Sequence, residues 1–198
     1  MALQLDSYPD IAYGTGSDLD LSIDERRQLW KWEVAVGYRV FAAMRWGQLG
    51  DGHITCRDPE HRDHFWMLSY GVPFHQATVH DLILIGPDGS VVDGLAHASA
   101  NTAGYNIHHP LLEVRQDINA AAHTHTAFGT PWSANVEPFR AISQESCSFV
   151  FNQAMYEGED LEVDSTDGGY RIAEAMGANT LVILRNHGLL TGGLSPAE

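Results

Sequence analysis

Two apolar segments that each lead into histidines constrain this chain more than any other feature. Residues 118–124 (INAAAHT) run into His123 and His125, and residues 180–184 (TLVIL) are followed closely by His187. Side chains at positions i and i+2 of a strand point to the same face, so His123 and His125 are placed to bind one ion together. The pattern predicts two buried strands that bring three imidazoles to one edge of a sheet.

The HxH pattern alone is weak, because two ordinary strand histidines have the same spacing. The third histidine favours a metal centre, since neutral imidazole is a common ligand for zinc and iron. Three protein ligands leave positions open for water or substrate, and neither Cys56 nor Cys147 has the spacing that would close a structural site. We therefore expect His123, His125 and His187 to hold one divalent ion, Fe²⁺ or Zn²⁺, with Co²⁺ and Mn²⁺ as further candidates.

The charge balance excludes several classes of partner. The chain has 26 acidic and 11 basic residues and a formal charge of -15, which disfavours binding to nucleic acid or to an anionic membrane surface. Its first residues resemble no signal peptide, and no apolar run approaches the roughly 20 residues of a membrane span. Only two cysteines indicate a reducing compartment. We expect a cytoplasmic protein that acts on a small molecule, with no nucleic-acid or membrane partner.

Local patterns predict a flexible arm over residues 1–20 and a single domain over residues 21–198. A capping box at Ser22 and Glu25 begins a helix that runs to about Gly47. Further helices are predicted over 106–115, 147–156 and 169–176, and a short helix or turn over 127–134. Further strands are predicted over 53–56, 65–70, 82–85, 91–92 and 141–143. Residues 195–198 (SPAE) are typical of a helix start with no helix behind it, which predicts a domain truncated at its C-terminus.

Several segments together resemble the class II aldolase/adducin family. The two histidine segments, AAHTHT at 121–126 and LRNHGLLT at 184–191, are similar to its metal-binding segments. Four further segments also match: GHITCRDP at 52–59, DLILI at 81–85, NTAG at 101–104 with IH at 107–108 and RQDI at 115–118, and SQES at 143–146. The resemblance covers roughly residues 25–194. The resemblance implies a three-layer α/β/α fold with a central, mainly antiparallel sheet. It also implies a homo-oligomer, usually a tetramer with active sites between subunits, and metal ligation by His123, His125 and His187.

The departures from the family pattern concern phosphate and proton transfer. Sugar-phosphate aldolases of this family have a Ser-Ser-Glu segment where this chain has Thr102, Ala103 and Gly104. Their serines help to hold phosphate, and their Glu is a catalytic acid/base. An Asn that contacts phosphate in those enzymes is His53 here. The resemblance therefore implies a substrate without phosphate.

Three functions stay open at this point. The first is a metal-dependent lyase, of aldolase or decarboxylase type, acting at a carbon next to a carbonyl. The second is a non-haem Fe²⁺ oxygenase that oxidatively decarboxylates an aryl-2-oxo acid or 2-hydroxy acid, since the chain is also similar to the oxygenase branch of aminocoumarin biosynthesis. The third is a non-catalytic, adducin-like binding domain, although such domains generally lack the metal ligands.

Further site residues are proposed around the predicted centre. Glu145, His53 and Tyr156 are candidates for acid/base catalysis or for binding a substrate oxygen. A solvated or ion-paired Glu145 is the simpler alternative, and His108 is expected to be a packed histidine. Residues proposed to contact substrate are Asn101, Thr102, Gly104 and Trp132.

Overall fold

A central sheet of eight strands organises the computed structural model, which describes residues 21–158 and 163–198. The predicted arm over residues 1–20 lies outside the described residues. The strands are β1 (Gly52–Arg57), β2 (Phe65–Leu68), β3 (Leu82–Ile85), β4 (Val91–Asp93), β5 (Ala120–Thr124), β6 (Gln153–Tyr156), β7 (Leu181–Leu184) and β8 (Gly188–Gly193). The helices are α1 (Ile23–Met44), α2 (Thr102–Val114), α3 (Gly129–Ser133), α4 (Gln144–Cys147) and α5 (Thr166–Met176), with short 3₁₀ turns at Phe74–Gln76 and Val79–Asp81.

The strand order is β4-β3-β2-β1-β5-β8-β7-β6, and every neighbouring pair is antiparallel except β6 and β7. The prediction of an α/β fold with a mainly antiparallel sheet is therefore confirmed. Strands β5 and β8 lie side by side near the middle of the sheet, although more than 60 residues separate them in the chain. This pairing brings the two histidine segments together.

Helices cover both faces of the sheet. On one face α1 packs its buried residues, Leu29, Val34 and Tyr38 among them, against Ile54 and Trp66. On the other face α2 and α5 form a second apolar cluster with alternate strand residues such as Met67, Ala121 and Leu190. Because strand side chains alternate between faces, strands β2, β3 and β5 contribute to both clusters, and the fold has three layers.

Helix α1 begins as the capping box predicts: Ser22 Oγ accepts from Glu25 N, and the Glu25 carboxylate accepts from Ser22 N. It ends at Met44, before the predicted end near Gly47, because Arg45 adopts a left-handed conformation (φ 60°) and its N–H caps the last turn. Helix α2 begins at Thr102 rather than at 106, since the Asn101 side chain accepts from Gly104 N as an N-cap. Pro110 therefore lies inside the helix and not in its first turn.

Two predictions for the segment before β7 are wrong. No strand forms over 141–143, and the helix predicted over 147–156 is replaced by the short α4 and by strand β6. Residues 153–156 form a parallel ladder with β7, and this tertiary pairing overrides the local helical pattern. Strand β8 was not predicted, because its sequence GLLTGG resembles a turn; hydrogen-bonded neighbours on both sides hold it extended.

Candidate metal centre

Three histidines meet where β5 ends and the β7–β8 hairpin turns. His123 lies on β5, and His125 follows the strand by one residue. His187 lies in the three-residue turn between Leu184 and Gly188, which are paired across the hairpin. The turn is closed by His187 N, which donates to Leu184 O at 3.0 Å, and by Asn186, which adopts φ 56°. Because β8 also pairs with β5, the turn places His187 beside the other two rings.

The geometry is that of a chelating group. One ring nitrogen from each of His123, His125 and His187 lies within 4.8 Å of the others. Their ring centroids are 4.8–4.9 Å apart, and the rings are nearly perpendicular to one another. His123 is buried, His187 is half-buried and His125 is exposed, so the group opens to solvent on the side of His125. This arrangement leaves one side free for a small molecule.

The three imidazoles are held neutral, the form that binds a metal. Burial and the neighbouring His53, His187 and His125 hold the pKa of His123 well below its usual range. Burial, with His125 nearby, lowers the pKa of His187 to about 4. Burial also lowers the pKa of His125, although the charge of Asp51 opposes the shift. None of these rings needs to lose a proton at pH 7 before it can ligate an ion.

The outer contact of His123 fixes which of its nitrogens faces inward. His123 Nδ1 lies 2.9 Å from Leu189 O, a carbonyl that can only accept, so Nδ1 carries the hydrogen and Nε2 is free. A backbone carbonyl on the second nitrogen is the usual arrangement behind a metal-bound histidine. Three clustered imidazole nitrogens fit a zinc or iron ion with open positions.

Gly188 is a site residue whose role the sequence interpretation missed. A Cβ at this position would lie 2.9 Å from Thr124 O, 3.3 Å from His123 Cε1 and 3.4 Å from His125 Cδ2. The hairpin therefore approaches β5 this closely only with glycine at its first strand position. Gly188 directly follows His187 in the family-like segment LRNHGLLT, which marks it as a candidate site residue. The sequence alone did not reveal what this glycine packs against.

A second group of buried polar residues lies beside the triad, on strand β1 and helix α2. His53 is directly opposite His123 in the β1–β5 pair, with ring centroids 4.9 Å apart. Its Nδ1 is 2.8 Å from Nε2 of His108 on α2, and His108 Nδ1 is 2.7 Å from Thr55 Oγ1. Gly104, one turn before His108, packs against the His53 ring. The packed histidine expected at 108 is thus present, and it is hydrogen-bonded to a predicted site residue.

The other residues proposed to contact substrate lie at different places around the triad and His53. Asn101 and His53 line one small cleft together with Gly52, Ser69 and Met67. Both polar atoms of the Asn101 amide are already used, since Oδ1 accepts from Gly104 N and Nδ2 donates to Gly50 O. Thr102 is exposed at the start of α2. Trp132 lies on α3, which packs against β8, and its Nε1 donates to Glu137 O at 3.0 Å.

The remaining acid/base candidates lie on other elements. Glu145 is exposed on α4, where its own backbone N–H and the Ser143 hydroxyl lower its pKa. Tyr156 lies at the end of β6, and its hydroxyl accepts from Arg171 Nε at 3.3 Å. It is paired with Leu184, three residues before His187. The structure brings His53 to the triad, while the roles proposed for Glu145 and Tyr156 stay predictions.

Residues 33–198 match the family model described as Class II Aldolase and Adducin N-terminal domain. This chain belongs to the class II aldolase/adducin family. The family assignment agrees with the sheet order, the two covered faces and the clustered histidines.

Individual relatives are similar over most of the chain. A 4-hydroxy-3-prenylphenylpyruvate oxygenase/4-hydroxy-3-prenylbenzoate synthase from Streptomyces roseochromogenus subsp. oscitans is 34% identical over 171 residues, which are 85% of this chain and 61% of that protein. Decarboxylase NovR from Streptomyces niveus is 34% identical over 85% of this chain and 63% of its own length. An L-fuculose 1-phosphate aldolase structure from Glaciozyma antarctica PI12 superposes with a TM-score of 0.80 at 32% identity, over 88% of this chain and 68% of that one.

The chain thus spans 61–63% of the length of these two curated relatives. Within the part of the chain that the structure describes, no helix combines the length and apolar character that a membrane crossing requires.

Proposed function

We propose that this chain forms a metal-dependent active centre that breaks a carbon–carbon bond next to a carbonyl group of a non-phosphorylated substrate. The observation that carries the proposal is the open cluster of three neutral imidazoles, His123, His125 and His187. A divalent ion held there supplies a positive charge that stabilises an oxygen anion next to the breaking bond. Family membership supports this class of chemistry.

The absence of phosphate from the substrate is supported by residues beside the triad. Gly104 offers no carboxylate and no hydroxyl at the position where the sugar-phosphate aldolases have their Glu. His53 and Met67 fill the adjoining space: a Cβ at residue 104 would lie 2.8 Å from Met67 Cε and 3.1 Å from His53 Cγ. Gly104 and His53 therefore fit one another, and a larger residue at 104 requires His53 to move.

Metal content tests the first part of the proposal. Removing His187 takes away one of three ligands, and outer-shell partners alone are worth about 10–100-fold in metal affinity. We expect His187→Ala to weaken Zn²⁺ or Fe²⁺ binding by at least about 100-fold, measured by competition with a chromophoric chelator. His80→Ala, which removes an exposed histidine, is the matched control. Full metal content in His187→Ala protein contradicts the assignment.

Paired substrates test the second part. A 2-oxo acid or hydroxy ketone and its phosphorylated counterpart are compared at equal concentration with the metal-loaded protein. We expect kcat/KM values within about threefold of each other, because no phosphate contact is proposed. A preference for the phosphorylated form of 100-fold or more refutes this part of the proposal.

A second candidate is the oxidative version of the same cleavage, with Fe²⁺ and O₂. It is supported by the 34% identity to the Streptomyces oxygenase. Protein purified without oxygen and loaded with Fe²⁺ is mixed with an aryl-2-oxo acid while O₂ is recorded. Substrate-dependent O₂ uptake establishes the oxygenase; product formed without O₂ uptake, and equally with Zn²⁺ or Co²⁺, establishes the lyase.

A non-catalytic, adducin-like role is the third candidate. It is disfavoured by the complete histidine triad, since a binding domain has no need of clustered neutral imidazoles. Failure of the protein to bind any divalent ion would move this candidate to first place.

A further inference from the structure

A buried hydrogen-bonded chain of three side chains reaches the metal centre from the protein interior. Thr55 and His53 are two residues apart on β1 and both contact His108 on α2. Thr55 and His108 have no exposed surface, and His53 is 3% exposed. The chain ends at His53, whose ring is in contact with that of the ligand His123.

The contacts of this chain leave its hydrogens only two directions. His108 uses both ring nitrogens, Nδ1 toward Thr55 Oγ1 and Nε2 toward His53 Nδ1, and both rings are buried away from solvent. A neutral imidazole has one N–H and one bare nitrogen, so each ring donates on one side and accepts on the other. The hydrogens therefore all point toward the metal centre or all point away from it.

The Thr55 hydroxyl decides between the two directions. Among the described residues, His108 Nδ1 is the one hydrogen-bond partner of the Thr55 side chain. If Thr55 accepted from His108, its own hydrogen would have no acceptor at a position without solvent, which is costly. Thr55 therefore donates to His108 Nδ1, and His108 Nε2–H donates to His53 Nδ1. His53 must then carry its hydrogen on Nε2.

The other edge of the His53 ring is packed against α2. A Cβ at Gly104 would lie 3.1 Å from Cγ and 3.2 Å from Cδ2 of His53. With Nδ1 bonded to His108 and this carbon edge covered, Nε2 is the ring nitrogen left to meet a bound molecule.

We propose that His53 presents a fixed Nε2–H donor to a carbonyl or carboxylate oxygen of the molecule bound at the triad, and that Thr55 and His108 are positioning residues that set this tautomer. The inference rests on the proposed function and deepens it. His53 occupies the position where the sugar-phosphate aldolases have Asn, and here it would donate a hydrogen bond to an oxygen of the substrate. With Nε2 protonated, His53 is neither a fourth ligand nor a general base.

The tautomers are read directly by long-range ¹H–¹⁵N NMR of Zn²⁺-loaded protein labelled with ¹⁵N-histidine. We expect both His53 and His108 as Nε2–H forms, with signals assigned by their loss in His53→Gln and His108→Gln. An Nδ1–H form at His53, or a fourth imidazole bound to Zn²⁺, overturns the inference. The experiment needs no turnover, so its result is independent of whether the proposed reaction is correct.

A matched pair of variants tests the positioning role. Thr55→Ser keeps the hydroxyl, and Thr55→Val replaces it with a methyl group of similar size. The probe is oxalate, which carries the carboxylate oxygens of a 2-oxo acid, and its binding to Co²⁺-loaded protein is followed by visible absorption. We expect Thr55→Val to weaken oxalate binding about tenfold, as for one lost hydrogen bond, with Co²⁺ affinity changed less than about twofold.

Thr55→Ser is expected to bind oxalate as the unmodified protein does. Unchanged oxalate affinity in Thr55→Val overturns the inference. An equal loss of Co²⁺ and oxalate binding also overturns it, because that result indicates a purely structural role for Thr55.

Discussion

At the residue scale, the three metal-binding candidates were predictable and their supporting contacts were not. His123 and His125 follow from strand alternation, and His187 from the second apolar strand. The carbonyl of Leu189 orients His123, and Gly188 fits against the His123 and His125 rings. Both contacts depend on a pairing between segments about 65 residues apart. A pattern within one segment carries no information about such contacts.

Gly188 provides a prediction at this scale. Gly188→Ala puts a methyl group within 2.9 Å of Thr124 O and within 3.4 Å of the His123 and His125 rings, so the hairpin must move away from β5. We expect a loss of about 1–3 kcal/mol in the free energy of unfolding and at least about tenfold weaker Zn²⁺ binding. Urea denaturation and chelator competition measure the two effects.

The control for Gly188→Ala is Gly193→Ala in the same strand. A Cβ at Gly193 would meet Glu198 and Ser195 O at 3.2–3.3 Å, and Gly193 lies opposite Ala120, at the end of β8 away from the histidines. Zn²⁺ binding equal to that of the unmodified protein in both variants would contradict the role assigned to Gly188.

At the scale of elements, strongly patterned segments were predicted and weakly patterned ones were not. Helix α1 has a cap and strands β3 and β7 have continuous apolar runs, and the structure contains them close to the predicted bounds. Strands β6 and β8 have mixed, polar or glycine-rich sequences, and their conformation is set by the neighbouring strands. These two strands complete the half of the sheet that holds His187.

The β7–β8 turn gives a prediction for one element. Asn186 adopts φ 56°, a left-handed conformation that costs most residues roughly 1–2 kcal/mol and costs glycine little. We expect Asn186→Gly to retain stability and Zn²⁺ affinity. Asn186→Val should lose about 1–2 kcal/mol of stability and weaken Zn²⁺ binding, because His187 is the next residue. Equal stability in thermal melts and equal Zn²⁺ affinity for the two variants would contradict the idea that the turn conformation positions His187.

The contact between helices α2 and α5 gives a second prediction at the scale of elements. Pro110 has no N–H, so the Asn106 carbonyl lacks its helical partner, and Gly169 of α5 packs against it. A Cβ at Gly169 would overlap with Asn106 O, a backbone atom that has no room to move. We expect Gly169→Ala to cost at least about 3 kcal/mol of stability in urea, and the exposed Glu174→Ala on the same helix to cost less than about 0.5 kcal/mol. A neutral Gly169→Ala would show that the two helices can separate freely.

At the scale of the whole molecule, the charge of the chain and its apolar surface have different consequences. The formal charge of -15 keeps the surface solvated. Several large apolar side chains are nevertheless exposed, notably Phe128 (87%), Ile142 (81%) and Phe151 (96%). Such exposure supports the prediction of a homo-oligomer, which sedimentation velocity can test.

Buried neutral histidines also make the stability of the whole molecule depend on pH. The pKa of His108 is about 3 in the folded chain, against about 6.5 when unfolded. Below pH 6.5 the unfolded chain binds a proton that the folded chain does not bind, so stability is present above pH 6.5 and is lost progressively down to about pH 3. His53 and His123 shift in the same direction. Carboxylates such as Asp58 act in a lower pH window, because the Arg27 guanidinium and neighbouring N–H groups outweigh burial and depress its pKa.

We therefore expect metal-free protein to lose about 1 kcal/mol of stability between pH 7.5 and pH 5.5 from His108 alone, and more from the three buried rings together. Urea unfolding in the presence of a chelator measures this loss. His108→Gln removes one of the titrating rings, so its stability should fall less steeply over the same interval, whatever its stability at pH 7.5. Parallel pH profiles for the two proteins would mean that His108 is protonated in the folded state as readily as in the unfolded chain. The donor chain from Thr55 to His53 could not then exist, because it requires a neutral His108.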